Sequence, residues 1–440
     1  MGRGRRLPAE PFELSIDGIN DAGAGLGTHD EKRLRVWGGL PGERVRARYL
    51  FGRKFRGQAE TLEVLEAAPD RAEPRCPHFG TCSACALQHL DDEAQLAFKQ
   101  QRLFNELDRA GAPRPARELA PLSAVRWHYR RKARLSVRDV PAKGRVLVGF
   151  RERDGRFVTD MTECHTLAEP VARRLTALSA LVGELDARAQ LPQIEATCGD
   201  DSCALVFRHM EPLSEADLAR LREFEGETGL RVYLQSKGPE TVTALTEGPS
   251  SLTYTLPAHD IRIEFEPLDF VQVNGELNRA MIDQAVGLLD PGADDHVLDL
   301  FCGLGNFTLP LARRVARVTG LEGAETLVAR ARENAARNEI ENAVFHAADL
   351  YADPDAATWP VNTADRVLLD PPRPGAGPLL ARIAATGASR VVYVSCNPET
   401  LASDARELVG EHGFTLAAAG IMDMFPQTAH IEAMALFERT

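Results

Sequence analysis

The sequence predicts an α/β protein: a C-terminal doubly wound, Rossmann-like domain, preceded by a small β-barrel and a mixed α+β region. Three observations predict this. Within residues 266–440, apolar runs at 297–301, 315–321, 344–347, 367–369 and 391–395 alternate with helical stretches. That is the pattern of buried parallel strands joined by crossover helices. Residues 8–68 hold short strand-like runs punctuated by glycine, such as Phe12-Glu13-Leu14-Ser15-Ile16 and Arg44-Val45-Arg46-Ala47-Arg48-Tyr49-Leu50, which suits an OB-like barrel. Residues 73–265 open with Pro74 and Pro77, pass through clustered cysteines and a helix from about Asp92 to Ala110, then mix strand and helix patterns.

The bulk numbers agree with this division. A length of 440 residues suggests about three domains. No apolar run reaches the roughly 18 residues of a membrane span, and no signal-peptide core follows the basic start at residues 1–6. A cytoplasmic monomer is therefore expected. The net charge of −12 argues against a nucleic-acid partner, but the charge is uneven. Residues 126–156 hold 11 Lys and Arg against 3 Asp and Glu, and residues 1–60 hold 12 against 8. Arg126-Trp127-His128-Tyr129-Arg130-Arg131-Lys132 interleaves aromatics with cations, a mix suited to phosphate contact and base stacking. The alternative is a solvated basic strand.

Two strand ends carry the chemistry. His296-Val297-Leu298-Asp299-Leu300-Phe301-Cys302-Gly303-Leu304-Gly305-Asn306 runs from a strand into a glycine turn, where backbone can approach a ligand closely. Glu322 follows 19 residues later at the next strand end, a spacing suited to binding ribose hydroxyls. Asp349 ends a third strand. A nucleotide-binding sheet of another class would show the same features. Further on, Leu369-Asp370-Pro371-Pro372-Arg373 and Val394-Ser395-Cys396-Asn397-Pro398 should reach the carboxyl edge of the sheet, where ligands bind in such folds. Asn397-Pro398 ends its strand at once and leaves Cys396 at the rim. Phe425-Pro426-Gln427-Thr428-Ala429-His430-Ile431-Glu432 would bring a carboxylate to the same edge.

The eight cysteines divide into sets. No disulfide framework is expected in a long chain without a secretory signal. Cys76, Cys82 and Cys85 lie close together, and Cys164 offers a distant fourth ligand. On ligand count alone, zinc and an iron–sulfur cluster fit equally. Cys198, Cys203 and Cys302 read as small buried residues.

Taken in order, Arg75-Cys76-Pro77-His78-Phe79-Gly80, Asp269-Phe270-Val271-Gln272-Val273-Asn274 and the segments 299–310, 391–398 and 423–432 resemble the family of RNA uracil-5 methyltransferases over nearly the whole length. The resemblance implies an S-adenosylmethionine-dependent enzyme, with a TRAM-type N-terminal barrel and a 4Fe–4S cluster on Cys76, Cys82, Cys85 and Cys164. Ser83 and Ala84 replace two glycines of the family's cysteine loop without changing the number of ligands. It also implies Cys396 as nucleophile, Glu432 as base, and Gln272, Phe301, Asn306, Glu322, Asp349 and Asp370 around cofactor and uracil. The barrel and cysteine loop resemble the branch acting on 23S ribosomal RNA. The same chemistry on transfer RNA, or a non-catalytic iron–sulfur RNA-binding protein, are the alternatives.

The residue types suit that chemistry. Carbon 5 of uracil is a weak nucleophile until a thiolate adds at carbon 6. A base must then take the carbon-5 proton, and the target base must leave its stack to be reached.

Overall fold

The computed structural model describes residues 10–50, 56–248, 252–352 and 359–439; the basic start at 1–6 lies outside them. Five strands close the N-terminal barrel: β1 (Phe12–Ile19), β2 (Gly25–His29), β3 (Lys32–Trp37), β4 (Arg44–Tyr49) and β5 (Gln58–Glu66), in the order β1-β2-β3-β5-β4. Alternation builds it: Leu14, Ile16, Leu34, Val36, Val45 and Ala47 point inward, and charged neighbours point out. Several of its arginines meet cross-strand acids, as in Arg44–Glu13, Arg48–Glu60 and Arg33–Asp17, which offsets part of the positive charge on the barrel surface.

After the barrel come α1 (Asp92–Ala110) and the two-residue β6 (Arg117–Glu118). Asp91 caps α1 by accepting from the Ala94 amide, and Gly111 ends it at φ 70°, the left-handed stop that glycine favours. The central sheet has six strands: β7 (Lys132–Val140), β8 (Arg145–Gly149), β9 (Gln193–Cys198), β10 (Cys203–Arg208), β11 (Arg231–Gln235) and β12 (Thr243–Ala244), in the order β12-β11-β10-β9-β7-β8. Helices α2 (Glu169–Ala172), α3 (Leu175–Glu184) and α4 (Glu215–Thr228) accompany it. A hairpin of β13 (Leu252–Leu256) and β14 (Ile261–Phe265) follows, then α5 (Gly275–Leu289).

The C-terminal elements are β15 (His296–Leu300), α6 (Thr308–Ala312), β16 (Arg317–Glu322), α7 (Glu325–Arg337), β17 (Ala343–Ala347), β18 (Arg366–Leu369), α8 (Leu380–Ala385), β19 (Arg390–Ser395), α9 (Pro398–Gly410), β20 (Thr415–Met422) and β21 (Glu432–Glu438). They form a sheet of order β17-β16-β15-β18-β19-β21-β20-β6. Its first five strands are parallel; β21 runs antiparallel between β19 and β20.

Three features depart from the sequence reading. First, α1 and β6 belong to the C-terminal sheet. β6 pairs with β20, and Leu103, Phe104 and Leu107 of α1 enter the core under that sheet. The division at 73–265 cuts across this packing, because helical periodicity does not say which sheet a helix covers. Second, Cys198 and Cys203 are joined in a disulfide. The β9–β10 register sets them directly opposite each other, with Cα atoms 4.0 Å apart; pairing register, not spacing, decides this. Third, the basic run at 126–132 is a seam rather than a free cationic face. Arg126 meets Asp92 and Asp423, Arg131 meets Asp200, and Lys132 donates to the Pro267 and Asp269 carbonyls.

At this seam Lys99 of α1 and Asp423 are both fully buried, with Nζ to Oδ1 at 2.5 Å. Burial pulls the Lys99 ammonium down from its usual range while Asp423 holds it up. Removing Lys99 leaves the buried Asp423 with only the longer 3.5 Å contact to Arg126, a poorly compensated buried charge. Lys99→Met should therefore cost about 3–5 kcal/mol in urea unfolding. Lys99→Met with Asp423→Leu should recover most of that loss.

Candidate active site

The site begins with β15. Its last turn passes through Phe301 at φ 63°, a strained conformation for a bulky residue and one that concentrates at functional sites. Gly303 and Gly305 follow at φ 54° and 91°. The next strand delivers Glu322, whose carboxylate accepts from the Gly303 and Ala324 amides at 3.1 Å each. Beneath the turn, Asp299 is fully buried. One oxygen accepts from the Thr308 hydroxyl and the other has no partner. Burial pushes this carboxyl up to about 7.

A cleft of about 460 Å³ opens over these strand ends. Gln272, Phe301, Asn306, Glu322, Asp370, Cys396 and Glu432 all line it, so seven of the eight non-cluster candidates come together. The strand order explains this: β16, β15, β18 and β19 are adjacent and parallel, and their carboxyl ends share one edge. The register of β21 adds Glu432. Ser395, the last residue of β19, pairs with Ala433, so Cys396, the residue after the strand, lies beside the start of β21. Asp349 is not among the lining residues. It follows the outer strand β17, and its carboxylate accepts from the Tyr351 amide, while the Tyr351 ring sits 5.6 Å from that of Phe301.

The electrostatics are acidic. Burial drives the Asp370 carboxyl well above the usual range, with Glu432 and Asp299 adding to the effect. Gln272 donates to Asp370 at 3.4 Å. Burial pushes the Cys396 thiol up to about 11, reinforced by Glu432 and Asp370 and opposed by Arg373. The His430 ring lies 3.5 Å from Glu432.

Sequence reasoning missed the wall residue Tyr254 and Asn278 behind it. Tyr254 donates to Asn306 at 2.8 Å, and Asn278 and Asn306 exchange amide bonds at 2.9 and 3.0 Å. Tyr254 is on the β13–β14 hairpin and Asn278 on α5, and no local pattern marks either. Phe270, 70% exposed at the mouth, sits in the Asp269–Asn274 stretch already singled out.

The other four cysteines meet elsewhere. Cys76, Cys82, Cys85 and Cys164 are free thiols lining one small void with Phe79, Ala84 and Met161. Burial raises Cys82 to about 11 and Cys85 to about 12, and Cys164 adds to both. Among the described residues, no group of three or more His, Cys, Asp or Glu side chains is arranged to hold a metal ion. No helix among them is long and apolar enough to cross a membrane.

Comparison with known proteins follows the same lines. The tRNA (uracil-5-)-methyltransferase family matches residues 93–352 and 359–440. A 23S rRNA (uracil(1939)-C(5))-methyltransferase RlmD of Alkalilimnicola ehrlichii is 53% identical over 100% of this chain and 99% of its own. One of the same description from Stenotrophomonas maltophilia is 47% identical over 100% of both chains. In fold, the chain resembles the Pyrococcus abyssi tRNA (uracil-54, C5)-methyltransferase solved with S-adenosyl-L-homocysteine. The TM-score is 0.72 at 21% identity, covering 97% of this chain and 100% of that one.

The raised Cys396 thiol has a measurable consequence. Burial and two neighbouring carboxylates disfavour the thiolate, so alkylation by iodoacetamide in the cofactor-free protein should still be accelerating near about pH 10, where an ordinary thiol of pKa about 8.5 levels off. Glu432→Gln removes one negative charge and should shift the profile to lower pH.

Proposed function

Because the chain belongs to the tRNA (uracil-5-)-methyltransferase family, we propose that it methylates carbon 5 of a specific uracil in 23S ribosomal RNA, through a covalent adduct on Cys396 that Glu432 resolves. The full-length relatives named for that ribosomal reaction support the substrate. The single observation carrying the mechanism is the meeting of Cys396 and Glu432 in one cleft with the glycine turn and Glu322.

The cleft suits S-adenosylmethionine: an open glycine turn, an oriented carboxylate on Glu322 and an apolar wall at Phe301 and Leu327. When bound, the cofactor supplies an electrophilic methyl on a sulfonium. Glu322 would take the ribose hydroxyls, Asp349 the adenine amino group, and Asn306 and Phe301 the remaining wall. The chain's own residues then do the rest. Cys396 Sγ, as thiolate, bonds to carbon 6 of the flipped uracil. The ring electrons pass to the oxygen on carbon 4, which makes carbon 5 nucleophilic toward the methyl. Asp370, with Gln272 beside it, would bond a polar edge of the base. Glu432 takes the carbon-5 proton, the ring electrons return, and the carbon 6–sulfur bond breaks to free Cys396.

For the second cysteine set, the proposal is a 4Fe–4S cluster on Cys76, Cys82, Cys85 and Cys164. Four free thiols around one buried void are poorly placed as solvated or reactive groups, and as thiolates they match the donor set of such a cluster. With every ligand a cysteine, the cluster has no open site for methyl chemistry, and a structural or RNA-recognition role follows.

Cys396→Ala should abolish methylation while leaving S-adenosylmethionine affinity within about 2-fold, read by calorimetry; turnover above background would overturn the mechanism. Glu432→Gln should leave an RNA–protein adduct that survives a denaturing gel. Anaerobically purified protein should be brown and hold about four irons; a colourless zinc protein would refute the cluster.

A further inference from the structure

The turn at residues 425–430, which leads into Glu432, is held almost entirely from outside. Its carbonyls are taken by three other parts of the chain: α1, Tyr129 and the segment following Cys85. Lys99 Nζ donates to Phe425 O at 3.0 Å and the Tyr129 hydroxyl to Pro426 O at 3.0 Å. The Ala86 and Leu87 amides both donate to Gln427 O, at 2.9 and 3.0 Å. The Arg102 guanidinium donates to Ala429 O at 2.7 Å. Within the turn, the Thr428 hydroxyl donates to Phe425 O and accepts from the His430 amide, and the Phe425 and His430 rings meet edge to face at 4.5 Å.

Gln427 stands at the centre of this arrangement. It is 1% exposed, although turn tips ordinarily face water. Its φ of 69° costs a non-glycine residue about 1 kcal/mol or more. Its side chain accepts from Gln95 Nε2 at 3.0 Å, and its amide donates to Gln95 Oε1 at 3.1 Å. Gln95 also donates to the Leu87 and Leu90 carbonyls, so one α1 side chain ties the turn to the segment following Cys85.

We infer that Gln427, clamped reciprocally by Gln95, is a positioning residue for the adduct-resolving step: it fixes the turn that sets the Glu432 carboxylate against the carbon-5 proton. It lines neither the cleft nor the cysteine void, so it acts only through the backbone it holds. A shift of about 1 Å in a reacting group can cost on the order of 100-fold in rate. The cleft walls that bind cofactor and base, on β15, β16 and β18, are not part of the turn. The effect should therefore fall on proton removal and spare binding. This inference rests on the proposed roles of Cys396 and Glu432.

The test uses the full chain with 23S ribosomal RNA and S-adenosylmethionine. Gln427→Gly keeps the backbone groups and relieves the positive φ while deleting the amide; Gln95→Leu deletes the other half of the clamp. Both should lower kcat about 10- to 100-fold, leave KM for RNA and cofactor within about 2-fold, and accumulate a gel-stable adduct that wild type does not. Wild-type kcat in both variants, or a kcat loss matched by a fall in folded fraction on thermal unfolding, would overturn it. Wild-type protein with 5-fluorouridine RNA separates the two levels, because fluorine on carbon 5 cannot leave as a proton. If wild type forms no trapped adduct there, the Cys396–Glu432 reading itself fails. If it does, and the variants turn over ordinary RNA without accumulating adduct, only the positioning inference fails.

Discussion

The antiparallel insertion of β21 between β19 and β20 is the constraint on which the rest of this molecule depends. The pairings Ser395 with Ala433 and Met422 with Glu432 bring a C-terminal carboxylate to the carboxyl edge of an otherwise parallel sheet. A slip of one residue would send Glu432 to the opposite face. The connection from β20 to β21 must therefore be held firmly. The buried Lys99–Asp423 pair, the carbonyls of the 425–430 turn and the added strand β6 all serve that requirement.

This gives the N-terminal half of the chain a part in holding the C-terminal sheet. α1 is amphipathic in an unusual sense. Leu103, Phe104 and Leu107 face the core, while Gln95 and Lys99, one turn apart, form a buried polar stripe. The stripe satisfies backbone groups that would otherwise be stranded inside. Through it the segment following Cys85, the seam at 126–132 and the 425–430 turn share hydrogen bonds. The cleft itself gathers Asp370, Glu432 and Glu322 with Arg373 as the cation acting on the thiol. The free protein thus holds the Cys396 thiol well above its ordinary range, and the proposed nucleophilic role needs a change in its surroundings.

Much of this was legible in the sequence. Strand ends carrying Asp370-Pro371-Pro372 and Cys396-Asn397-Pro398 are local signals, since proline stops a strand where it is written. The glycine turn and the acid 19 residues beyond it are local too. The barrel followed from short alternating runs, and α1 from a helical stretch over about Asp92 to Ala110. What stayed hidden depends on contacts between distant segments. Nothing near Arg126 or Arg131 says that their charges end on Asp423 and Asp200. Nothing near Cys198 says that Cys203 stands across the ladder. Gln427 looks like an ordinary turn residue until its partner Gln95, 332 positions away, is seen.

The central claim is the reaction and its target. The most direct measurement is a nucleoside-resolved map of 5-methyluridine in ribosomal and transfer RNA from a strain lacking this chain, compared with its parent and with a strain complemented by the intact gene. The account predicts loss of one 5-methyluridine in 23S ribosomal RNA, its return on complementation, and unchanged transfer RNA. An unchanged 23S map, or a loss confined to transfer RNA, would contradict it.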